Sequence, residues 1–216
     1  GNLKVAEKLK VYRMAVLVMT AFFVLVALVS TLVIRSNIRH ITEVWSPSLE
    51  YLQELETMTA KYRIKQYQHL VESDAAAMAT CEKENDNIES QIKDATAKLG
   101  EIINSNKKAQ QGKADYEKAT SAWEEYLSTS DEVYKLSRDN KQAEAAKIMI
   151  GSAYESYMSF VKQLNTLHDD FQVELDNAKT LANICTIIIF IVIIVTGIAI
   201  ADRKSTRLNS SHLGIS

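Results

Sequence analysis

Apolar and polar positions follow two different regimes along the 216 residues of this chain. Two uncharged apolar runs, Met14 to Ile34 and Leu181 to Ala201, are each 21 residues long, and about 20 suffice for a helix to cross the hydrocarbon core of a bilayer. Between them, apolar positions recur at alternating spacings of three and four, the repeat of a single helix face. The first seam is Leu52, Leu55, Thr59, Tyr62, Gln66 and His69, and the second is Met78, Cys81, Asn85, Ile88, Ile92, Ala95, Leu99 and Ile102. A third holds Tyr116, Ala119, Trp123, Tyr126, Ser130 and Val133. The fourth, Ile150, Tyr154, Tyr157, Val161, Leu164, His168, Phe171, Leu175, Ala178 and Ala182, runs in phase into the second apolar run.

Four striped helices with short connections predict an all-α fold, an antiparallel four-helix bundle between two transmembrane helices. Helix breakers are scarce in the intervening segment, with Pro47 alone and three glycines, Gly100, Gly112 and Gly151, which disfavours a sheet. Ser73-Asp74 is expected to cap the second helix, with connections at Asn104 to Gly112 and Ser137 to Asn140. The expected organisation is a cytoplasmic N-terminus over 1–13, a span over 14–34, a periplasmic or extracellular sensor over 35–180 and a second span over 181–201.

Charge sets the orientation. Lys4, Lys8, Lys10 and Arg13 precede the first run, and cytoplasmic flanks carry such an excess, so the N-terminus is expected inside and the bundle outside. A signal peptide is the alternative, but its apolar region is usually shorter, and Ser36-Asn37-Ile38-Arg39 offers no small-x-small cleavage site. The segment from Ile41 to Thr180 carries 16 Lys/Arg against 25 Asp/Glu, a net of −9. That balance argues against nucleic acid as a partner, since phosphate binding needs a basic stripe. Cys81 and Cys185 fall in different segments and are not expected to pair.

The last residues, 202–216, read as one frame of a common short-read sequencing adapter, from Asp202-Arg203-Lys204-Ser205 through His212. We expect them to be foreign and the natural chain to continue past Ala201. The alternative is a genuine basic tail, which the positive-inside rule also favours. The absence of an initiator Met at Gly1 likewise points to an incomplete or processed chain.

Several short motifs follow one another in order: Asn2-Leu3-Lys4 before the first span, Ser46-Pro47-Ser48-Leu49 opening helix one, Lys61-Tyr62-Arg63, Trp123-Glu124-Glu125-Tyr126 in helix three, and Ala143-Glu144-Ala145-Ala146 opening helix four. In this order and spacing, residues 1–201 resemble the N-terminal part of methyl-accepting chemotaxis receptors. The resemblance implies a homodimeric chemoreceptor in the bacterial inner membrane that senses an extracytoplasmic ligand. The ligand is either a small molecule or a periplasmic binding protein. It also implies a cytoplasmic continuation, a linker and a methylated coiled coil, through which kinase and adaptor partners are reached. Membrane lipid is the remaining partner, and no cofactor is implied.

Candidate binding residues are few. Arg63 offers a planar fork suited to a carboxylate, and Lys61 stands beside it. Tyr62, Tyr67, Tyr154 and Tyr157 are placed to line a pocket, although aromatic residues at helical spacing are more often core. The alternative for Arg63 is a solvated or salt-bridged surface residue. His69 and His168 sit singly on their seams, without a paired metal-ligand pattern, and are expected to be partly buried and satisfied. No nucleotide loop, nucleophile elbow or Cys/His cluster is present, so catalysis by these residues is not expected. The output stays open between a chemotaxis transducer, a membrane histidine kinase or diguanylate cyclase, and a small two-pass structural protein.

Overall fold

The computed structural model describes Asn2 to His212, with side chains described at Glu7 and from Lys10 to Ala199. The side chains of Asn2-Leu3-Lys4, of Lys8 and of the adapter-like run 202–216 lie outside the described residues, as does the backbone of 213–216. The described residues form helices α1 (Asn2–His40), α2 (Ser46–Val71), α3 (Ala75–Ser105), α4 (Lys113–Arg138), α5 (Gln142–Ile150) and α6 (Ser152–His212). A π-helical turn, Ile41–Trp45, joins α1 to α2, and a 3-10 turn, Ala109–Gly112, joins α3 to α4. The chain divides into two units, residues 1–40 with 177–216, and residues 41–176.

In the first unit, α1 and the last part of α6 face each other through Tyr12, Val16, Met19 and Phe23 on one side and Val195, Thr196 and Ala199 on the other. Both helices are long and apolar enough to cross a membrane. Most of their large apolar side chains are exposed, Leu17 and Phe190 at 69% and 61%. Apolar surface on that scale suits lipid rather than water. Thr20 donates to the Val16 carbonyl at 2.8 Å and Thr186 to that of Ala182 at 2.9 Å, the internal satisfaction that a helix in hydrocarbon requires.

The second unit is the bundle: α2, α3, α4 and, as its fourth member, α5 followed by the first part of α6. Pro47 explains its entrance. Proline has no amide hydrogen and its ring crowds the carbonyl four residues back, at Glu43, so the regular ladder cannot pass and the chain widens into the π-turn. The turn buries Val44 and Trp45, and the Trp45 ring meets Phe171 of α6 at 5.5 Å. Asp74 caps α3, its carboxylate accepting from the Ala77 amide at 2.9 Å. The exit of α4 is a Schellman motif: Lys141 N–H reaches the Leu136 carbonyl at 2.8 Å and Asn140 N–H the Ser137 carbonyl at 3.1 Å. Asn140, at φ 59°, takes the left-handed conformation that asparagine tolerates better than most residues.

Every member of the first seam is buried, polar ones included, and the second and third seams are buried or half-buried throughout. Thr59, Gln66, His69, Asn85 and Ser130 all lie below 3% exposure or at it. Burial of such groups is tolerated when they are hydrogen-bonded, and each makes at least one bond, with Asn85 Oδ1 alone among them left without a partner. Gln66 Nε2 donates to Ser130 Oγ at 2.8 Å, and its Oε1 accepts from the Tyr126 hydroxyl. Asn85 Nδ2 donates to the Tyr62 carbonyl at 3.1 Å and to the Tyr134 hydroxyl. His69 lies 2.9 Å from Ser137 Oγ through Nδ1 and 2.9 Å from Glu82 through Nε2, and Arg138 grips the same carboxylate at 2.6 and 2.7 Å. These bonds tie α2 to α3 and α4 and fix their register. Around them the core is aromatic, with Tyr62, Trp123, Tyr126 and Phe160 meeting at 5.1 to 6.2 Å.

The fourth seam differs from expectation in its first half. Ile150 and Tyr154 are exposed and Tyr157 and Val161 half-buried, whereas Ala153, Ser156, Phe160 and Leu167 face the core; Leu164 is buried as expected. Within α6 the buried face follows Ala153, Ser156, Phe160, Leu164, Leu167 and Phe171, so Tyr154, Tyr157, Val161 and His168 each stand one position beyond a buried residue. His168 lies on the exposed side and is not a partly buried histidine; it sits 3.7 Å from Asp169. From Phe171 onward the expected phase holds, through Leu175 and Ala178.

Candidate functional site

Helix α2 places Arg63 one position away from the buried seam, so the side chain leaves the core edge and turns toward α5 and α6. Its guanidinium is held on two sides by neutral acceptors: Nη2 donates to the Tyr67 hydroxyl and to the Met149 backbone carbonyl, both at 2.9 Å. Four tyrosine rings surround it, Tyr67 at 5.2 Å, Tyr126 at 5.8 Å, Tyr154 at 5.4 Å and Tyr157 at 5.0 Å. Cations are attracted to such faces by the ring quadrupole, by about 0.5–1 kcal/mol at an exposed site.

Two features make this more than a packed surface arginine. Nη1 is buried and has no hydrogen-bond partner, and no carboxylate forms an ion pair with Arg63 among the described residues. The neighbouring tyrosines do not supply the missing charge. Burial pushes the Tyr126 hydroxyl well above its ordinary value against the opposing pull of Arg63, and burial likewise raises Tyr157. The cage is therefore one permanent positive charge in a neutral aromatic wall. A buried donor without an acceptor costs about 1–3 kcal/mol, which an anion placed at Nη1 would relieve. Tyr67 and Tyr154, 37% and 46% exposed, form the solvent side of the wall, while Tyr126, fully buried, forms its back.

The structure thus brings together four of the six sequence candidates, Arg63, Tyr67, Tyr154 and Tyr157. The other two are elsewhere. Tyr62 is a core residue, 3% exposed, edge-on to Trp123 and Tyr126, because its position on the α2 seam turns it inward. Lys61 is exposed, two positions from Arg63 and hence on a different face of the helix. Lys65 is engaged by Glu84 at 2.6 Å. Two contributors were not anticipated. Tyr126 reads as core and is core, yet the edge of its ring also walls the cage. The Met149 carbonyl has no side-chain signal at all, and only Gly151, a helix-stop residue, hinted that a carbonyl nearby would be left free.

Residues 2–184 match a family model for a four-helix bundle sensory module for signal transduction. The chain belongs to that family. This is the sensory module of methyl-accepting chemotaxis proteins that the sequence resembles, and the match extends from the first candidate span through the bundle into the start of the second. A search of curated proteins finds no match to the chain. As a sensory module for signal transduction, the protein joins a helical bundle to two helices able to span a membrane. The Arg63 cage lies inside that bundle.

Proposed function

We propose that this sensory module is the input half of a transmembrane chemoreceptor of the methyl-accepting type, and that its ligand is a small molecule carrying a carboxylate, bound at Arg63. The N-terminus faces the cytoplasm, the bundle is exported, two copies associate, and the output partners are reached through a continuation beyond Ala201. The observation that supports a carboxylate ligand is the buried, unpartnered Nη1 of an arginine that has no carboxylate counter-ion among the described residues. A carboxylate accepts two parallel bonds from the guanidinium fork, and the tyrosines add ring faces for the remainder of the ligand.

Signal transfer follows from the elements that meet at the cage. Tyr154 and Tyr157 lie in the first turns of α6, the same helix that contains the second apolar run. Ligand energy need only favour one of two packings of α6 against α2 and α4 for occupancy to be passed along that helix.

The test is titration of acetate, succinate and benzoate into the full chain held in lipid nanodiscs, followed by heat and by tyrosine fluorescence. At least one is expected to bind, and Arg63→Met to weaken it tenfold or more. Absence of binding by all three, or unchanged affinity in the variant, would reject the carboxylate site.

A further inference from the structure

Gly151 interrupts what would otherwise be one helix, and the break leaves carbonyls of α5 without helical partners. In an unbroken helix the Met149 carbonyl would accept from the amide of residue 153. Here the Gly151 amide turns back to the Lys147 and Ile148 carbonyls at 3.0 and 3.2 Å, and the buried Met149 carbonyl takes its bond from Arg63. The break is built around glycine: a Cβ at residue 151 would stand 2.9 Å from the Lys147 carbonyl. Arg63 therefore caps α5 from another helix, with its positive charge at the negative end of the α5 dipole. Its guanidinium also lies against Tyr154 and Tyr157 on the far side of the break.

We propose that Arg63 is a removable cap, exchanged between the Met149 carbonyl and a bound carboxylate, so that ligand binding releases the end of α5 and the start of α6. This inference rests on the carboxylate reading of the cage. Its basis is the division of labour within one guanidinium. Nη1 is free, but Nη2 is committed to Tyr67 and Met149. Nη2 spends its two hydrogens on Tyr67 and Met149, so a ligand that engages both terminal nitrogens in the bidentate geometry carboxylates favour displaces one of these acceptors, and the exchange assigns that place to the carbonyl. The Met149 carbonyl, belonging to a residue with no exposed surface, is then left without water or protein to replace the bond. The junction must open or rearrange to satisfy it. The cage is thus both the ligand site and the clasp on the helix that carries the signal.

Hydrogen exchange on the full chain in nanodiscs reads the clasp directly. Arg63→Gln should accelerate exchange of the amides at Lys147 to Gly151 about tenfold, the scale of a lost cap, with the amides of α3 unchanged. A saturating carboxylate from the panel above should accelerate the same amides in the unaltered chain. Exchange within twofold of the parent in Arg63→Gln overturns the cap. Arg63-dependent binding without a change at Lys147 to Gly151 overturns the exchange and leaves the carboxylate site standing. Failure of every carboxylate to bind overturns both.

Discussion

Tyr126→Phe removes one hydroxyl from the middle of the bundle and keeps the ring. That ring still packs on Trp123 at 5.1 Å and still walls Arg63 at 5.8 Å, so the change isolates one hydrogen bond. What it strands is Gln66 Oε1, on a side chain with no exposed surface. A buried acceptor left unsatisfied costs about 1–3 kcal/mol. In a bundle of this size each kcal/mol lowers the midpoint by about 2–4 °C, so a fall of roughly 4–8 °C is expected for a cost near the middle of that range. Gln66→Met alone strands the Tyr126 hydroxyl and Ser130 Oγ, and should cost at least as much. The double variant strands Ser130 Oγ only. It should therefore be less destabilised than the sum of the singles, by about 1–2 kcal/mol. Thermal unfolding of the full chain in nanodiscs, by circular dichroism, supplies all four corners of the cycle. Strict additivity would mean that the two groups are not bonded to each other, and would refute the polar network as the device that sets helix register.

Other perturbations probe other parts of the bundle. Gly112→Val places a branched side chain where a Cβ already meets Leu167 at 2.8 Å and Phe171 at 3.0 Å; a loss of about 1–3 kcal/mol is expected from overpacking, measured by the same unfolding curves. Asp74→Ala removes the α3 cap and should cost about 0.5–2 kcal/mol, with Asp74→Asn nearly neutral. Glu89 is held above the ordinary carboxylate value, first by burial and then by Asp86 and Asp131. Its ionised form is therefore the one that strains the fold. Stability linked to it is present below the unfolded value and lost as pH rises through the folded value. Glu89→Gln should stabilise the fold slightly at pH 7, by about a few tenths of a kcal/mol because the group is largely solvated, and have no effect near pH 3.

The bundle was largely legible because helix periodicity is a strong signal when breakers are few. The seams on α2, α3 and α4 translate directly into buried faces, including their polar members, and Asp74 and Asn140 stand at the turns expected of them. Periodicity failed locally on the fourth seam, where Ile150, Tyr154 and His168 each stand one position beyond a buried residue, Met149, Ala153 and Leu167, while Leu164 and Phe171 keep the expected phase. The π-turn before Pro47 was likewise invisible, since a proline near a helix start is ordinarily compatible with its first turn. The site was half legible. Arg63 and three tyrosines could be chosen for their chemistry, but Tyr62 and Lys61, close neighbours of Arg63 in sequence, point elsewhere on the helix. The decisive acceptor, the Met149 carbonyl, is a backbone atom from a distant segment and has no residue-type signature.

If occupancy at Arg63 is relayed through α6, a hybrid receptor measures that relay. Residues 1–201, fused to the linker and signalling region of a methyl-accepting chemotaxis receptor, would be assayed for control of its partner kinase by a carboxylate that the nanodisc titration shows to bind. Kinase activity should respond in the parent hybrid and lose its response in Arg63→Met. Insertion of two glycines after Asp176 should abolish the response while leaving binding intact, because a flexible joint cannot pass a helix displacement. An undiminished response in the glycine insertion would contradict the account.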